Sequence, residues 1–135
     1  MLIANLLFAW CWMTMGLLAG AVQGIGFHSE TWMGGYGSWR RRLTRLGHIA
    51  FLGTGMLNLG FALTTDAVDL SAASVCWPGV LLIIGAISMP TVCYLAAWRK
   101  PCRQLFFVPV LSLTVGCGWF TAVLIGHLYF PKGVL

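Results

Sequence analysis

"GHIAFLGTGMLNLGFAL", residues Gly47 to Leu63, is apolar enough to lie in lipid, yet it carries a histidine and an asparagine. A helix needs about 20 apolar residues to cross roughly 30 Å of hydrocarbon, and this run supplies most of them. At about 100° per residue, His48, Phe51, Gly55, Asn58 and Ala62 share an arc of about 80°. Ile49, Gly53, Met56, Leu57, Gly60 and Leu63 take the other faces. Polar groups inside a membrane avoid lipid, so the His48–Asn58 stripe is expected to face a bundle interior or another protein. Asn58 is expected to hydrogen-bond to a second helix.

The rest of the chain repeats this character. Of 135 residues, 59% are hydrophobic and 8% charged, with a mean hydropathy of +0.87. Soluble domains carry about a quarter charged residues, so this composition describes an integral membrane domain. Four segments are long enough to span: Leu2–Phe27, Leu46–Thr64, Val75–Trp98 and Leu105–Phe130. Backbone groups cannot stay unpaired in lipid, and a chain this short with this pattern cannot close a barrel, so the spans must be helices. The short loops predict an all-α, polytopic, up-down-up-down bundle in one domain, residues 1–135.

The first span is not expected to be a cleaved signal. No Lys or Arg precedes Arg40, and the apolar run is too long for a signal core. Arg40, Arg41, Arg42 and Arg45 fall in the first loop of this scheme, and Arg99, Lys100 and Arg103 in the third. The second loop holds Asp66 and Asp69, and the C-terminal tail holds Lys132. Seven basic residues against one predict N-out, C-out topology. The run "SWRRRLTR" is read as a topology signal with lipid-phosphate contacts, and nucleic acid is not an expected partner. The surrounding stretch "HSETWMGGYGSWRRRLTR", from His28 to Arg45, is expected to turn tightly at its glycines and to lie in the headgroup layer.

Cys11, Cys76, Cys93, Cys102 and Cys117 form no C-x-x-C, so neither a zinc ribbon nor covalent haem attachment is indicated. Most of them read as small apolar fillers. Small residues spaced by four mark helix-packing faces: Gly16, Gly20 and Gly24 on the first span, and Thr114, Gly118, Ala122 and Gly126 on the fourth. Either stripe could serve a dimer, the bundle itself or the flat face of a cofactor. Pro90 and Pro109 are expected to bend the third and fourth helices near Ala86 and Leu105.

The histidines are the candidate ligands. His28 and His48 are placed near the cytoplasmic end and His127 near the outer end. Histidine is an axial ligand of haem b, so His48, His127 and His28 are candidate sites for haem b or (bacterio)chlorophyll, with His48 as the candidate metal ligand. A histidine hydrogen-bonded near the headgroups is the competing reading for all of them. No H-E-x-x-H occurs, and no Ser-His-Asp set can be assembled at matching depth. A catalytic activity is therefore not expected. Proton-coupled carriers usually need an intramembrane carboxylate, and the acidic residues here all lie in predicted loops.

These features favour a small integral subunit of a larger electron-transfer complex, respiratory or photosynthetic, in a bacterial-type inner membrane. Its expected partners are membrane lipid and other membrane subunits. The alternatives are a stand-alone b-type cytochrome and an oligomeric channel or carrier.

Overall fold

The computed structural model describes residues 2–129 and is all-helical. Phe130 and Lys132, assigned above to the fourth span and the tail, lie outside the described residues. The helices are α1 (Leu2–Gly26), α2 (Trp39–Ala67), α3 (Ala72–Trp98) and α4 (Phe107–Tyr129). They form a four-helix bundle, and four helical segments are long and apolar enough to cross a membrane. The chain is a multi-pass membrane protein by that pattern.

The helix ends follow from local chemistry. Ser38 caps α2, its Oγ accepting from the Arg41 N–H at 3.2 Å. Ser71 caps α3 in the same way, accepting from Ser74 N–H at 3.4 Å. A serine at this position satisfies one of the amides that the first helical turn leaves unpaired. The cap at Ser38 starts α2 seven residues before Leu46. Arg40, Arg41, Arg42 and Arg45 are therefore helical and not in a loop. Arginine propagates helix well, and a helix can run past the lipid where its carbonyls still have partners. Asp66 is likewise in the last turn of α2, where Val68 N–H reaches Thr64 O at 3.1 Å. Before α4 the chain makes a 3-10 segment, Lys100–Phe106, which carries Lys100, Cys102 and Arg103.

Pro109 stands at the start of α4, where the backbone passes from 3-10 to α-helix. It is the third residue of that helix, where no amide has an intrahelical acceptor, so its missing N–H costs nothing there. Leu105 lies in the preceding 3-10 segment. Pro78 and Pro90 do lie inside α3.

α2 and α3 are the more buried pair, and α1 and α4 flank them. Phe61 of α2 belongs to a cluster with Leu70, Val75 and Leu82, and Phe120 of α4 meets its ring edge-on at 4.7 Å. At the other end Leu43, Ala96 and Ala97 form a second cluster with Cys102 and Phe106 against it. Lipid is as apolar as leucine, so these clusters hold by close packing and not by exclusion of water.

Candidate functional site

The seam between α1 and α2 holds a row of buried and half-buried polar side chains. Asn5 Nδ2 donates to Asn58 Oδ1 at 2.9 Å and to Gly79 O of α3 at 3.1 Å. Asn58 Nδ2 in turn donates to Thr54 O at 3.0 Å and Leu82 O at 3.3 Å. Both asparagines are fully buried. One pair of amides thus ties three helices together. Further along, Trp12 Nε1 donates to Thr54 Oγ1 at 3.2 Å. Near the end of α1, Gln23 Nε2 donates to the Tyr94 hydroxyl of α3 at 3.0 Å.

His48 sits between these contacts. Its Nδ1 lies 2.9 Å from Gly16 O. A carbonyl only accepts, so Nδ1 carries the proton and, in a neutral ring, Nε2 keeps the lone pair. The ring lies over Gly20: a Cβ there would fall 2.9 Å from Nε2 and closer still to Cε1. A Cβ at Gly16 would meet Phe51 Cβ at 2.7 Å, and one at Gly55 would meet Met13 Cγ at 2.6 Å. His48, Phe51, Gly55 and Asn58 therefore all face α1. The stripe read from the sequence is the surface on which α1 lies.

The other candidates are distributed differently. A Cβ at Gly24 would meet nothing within 4 Å, so the close approach on α1 stops at Gly20. His28 is exposed in the turn after α1, and His127 is exposed in the last turn of α4. About 9 Å of helical rise separates Gly20 from the end of α1. His28 lies beyond that end, so the fold does not set it opposite His48. Among the described residues no group of three His, Cys, Asp or Glu side chains could hold a metal ion, and all five cysteines are free.

The fourth-helix stripe points outward. Thr114, Gly118 and Ala122 are exposed, and a Cβ at Gly118 or Gly126 would meet nothing within 4 Å. The face of α4 that packs on α3 is centred on Gly116 instead. A Cβ there would lie 3.1 Å from Leu81 Cβ and 3.4 Å from Pro78 O. Gly85 of α3 makes the matching notch: a Cβ there would lie 2.6 Å from Leu113 Cδ2.

The basic end of the bundle is built on aromatic rings. Arg41 is only 4% exposed. Its guanidinium lies 4.9 Å from the Phe27 ring, 5.6 Å from Trp32 and 5.3 Å from Tyr36. Arg45 covers the same Tyr36 at 4.3 Å, and Arg40 covers Trp98 at 5.0 Å. Such stacking stabilises a cation by about 0.5–2 kcal/mol per ring. Arg41 Nη1 also donates to Glu30 O at 3.4 Å. The loop that brings these rings together is a 3-10 turn, Trp32–Gly34, followed by Gly35. Gly34 and Gly35 have φ of 89° and 92°, a region that glycine enters without strain.

No known family matches this chain. No solved structure matches it either.

Asn5, Gln23, Arg41 and Gly116 carry much of this geometry and were not singled out from the sequence. For Asn5 and Gln23 the signal was available. At about 100° per residue, Asn5, Ala9, Trp12, Gly16, Gly20 and Gln23 share an arc of about 80°, the complement of the α2 stripe.

Proposed function

We propose that this chain is a small, non-catalytic subunit of a larger complex in a bacterial-type inner membrane. Its helices run up-down-up-down, with both termini outside and the arginine-rich end in the cytoplasm. The observation that carries this reading is the outer face of α4. Small-residue faces let two helix backbones approach closely. Here Thr114, Gly118 and Ala122 form such a face, and none of the described helices covers it. Meanwhile Asn5, Asn58 and Gln23 are engaged with other helices. That use of polar groups suits a scaffold.

Electron transfer is the class of complex we favour, and His48 is the residue through which it would be seen. A histidine whose Nδ1–H is held by a carbonyl has its Nε2 oriented and basic, the arrangement common in metal-bound histidine. A b-type haem or a chlorin on His48 is the second reading; it requires the ring to swing out of the α1–α2 seam, because Nε2 packs on Gly20 there.

The test is purification from native membranes in mild detergent. The wild-type chain should bring other membrane subunits with it, and Gly118→Leu should release them while the chain itself stays folded. Recovery of the wild-type chain as a lone monomer would overturn the subunit reading. A visible absorption spectrum of the same material decides for or against a pigment.

A further inference from the structure

We propose that the first turns of α2 form a specific site for an anionic glycerophospholipid. A groove of about 420 Å³ is lined by Trp39, Arg42, Leu43, Arg45, Leu46 and Ile49. Its chemistry changes along its length in one direction. Arg42 and Arg45 stand at the rim, and Leu46 and Ile49 continue it into the span. About 10 Å of helical rise separates Arg42 from Ile49, so the basic rim and the apolar floor lie at different depths along α2. Leu46 and Ile49 are 45% and 59% exposed, so the floor is open to an alkyl chain.

The site is also held in shape. Trp39 Nε1 donates to Ala96 O at 2.8 Å, which fixes the indole as one wall against α3. Arg45 is stacked on Tyr36, so its guanidinium is positioned before any ligand arrives. The lining contains no carboxylate. Two guanidiniums without an internal counter-ion, above an apolar slot, complement a phosphate with a net negative headgroup and an attached chain. A zwitterionic lipid brings the same chain without the net charge. Guanidinium also favours paired hydrogen bonds to phosphate oxygens. The inference depends on the chain spanning a membrane and not on its being a subunit of anything.

Native mass spectrometry of the purified full chain decides it, with phosphatidylglycerol and phosphatidylcholine of equal chain length offered together. Phosphatidylglycerol should be retained in preference. Arg42→Gln should lower that retention about fivefold, and Arg42→Gln with Arg45→Gln about thirtyfold. Arg99→Gln with Arg103→Gln removes the same charge elsewhere and should leave most of the retention. Arg42 is exposed, so its single variant reports even if loss of the Arg45–Tyr36 stack unfolds the double one. Equal retention of the two lipids, or an Arg42→Gln chain that binds like wild type, overturns the proposal. So does equal loss in the Arg99/Arg103 variant, which would mean a general charge effect.

Discussion

The imidazole of His48 occupies the space that a side chain at Gly20 would need, and Gly16 O holds it there at 2.9 Å. The relationship makes both residues sensitive to change, but unequally. Gly20→Ala must push the ring out of the seam and break its hydrogen bond. Overpacking of this kind costs about 1–3 kcal/mol. His48→Ala removes the obstacle, so the double variant should recover part of the loss. Thermal unfolding in detergent checks this, and strictly additive losses would count against it.

The Asn5–Asn58 pair should show direct coupling. Each alanine variant leaves a buried amide with one partner fewer. Interhelical hydrogen bonds in membranes are worth about 1 kcal/mol, and a double-mutant cycle should return a coupling of that order. A coupling near zero would show that the two amides merely sit side by side.

Glycines on opposite sides of α4 should behave as opposites. Gly116→Leu drives a side chain into Leu81 and the Pro78 carbonyl, and should destabilise the isolated chain by about 1–3 kcal/mol. Gly118→Leu meets open space and should leave the isolated chain unchanged. If the α4 face is an interface, Gly118→Leu should cost assembly alone. Parallel unfolding and co-purification measurements separate the two effects.

Arg41 should tolerate lysine poorly. The guanidinium lies against Phe27, Trp32 and Tyr36, and a compact ammonium cannot stack on several ring faces at once. Arg41→Lys should lower the melting temperature, and Arg41→Gln should lower it further by removing the charge. Equal stability of all three forms would show that the rings contribute nothing.

Should a pigment prove to be bound, His48→Ala should remove its absorption band while the chain still folds. Loss of the band from His28→Ala or His127→Ala instead would place the ligand outside the α1–α2 seam.

The spans and the α2 stripe were legible because hydropathy and a 3.6-residue period are properties of the sequence itself. His48, Phe51, Gly55 and Asn58 do share the face that meets α1. The start of α2 is not legible in the same way, because a run of arginines resembles a loop. Ser38 overrides that resemblance by capping a helix that simply continues out of the lipid. On α4 the stripe of four-spaced small residues is not the face that packs on α3. Gly116 and Gly118 lie about 200° apart, and nothing in their spacing tells which one meets α3. Arg41 was equally hidden, because a run of three arginines does not say which of them the aromatic rings will enclose.

The amides of α1 also impose an order on biogenesis. When α1 first enters the bilayer it carries Asn5 and Gln23 with no partner, since Asn58, Gly79 and Tyr94 are all synthesised later. A lone α1 is therefore a less comfortable membrane segment than its hydropathy implies. Its docking is complete only once the ribosome has passed residue 94 and α3 has arrived. A chain truncated between α2 and α3 would retain the Asn5–Asn58 bond but leave Gln23 unanswered. Such a fragment would present to the cell's quality-control proteases a polar side chain that the finished bundle conceals.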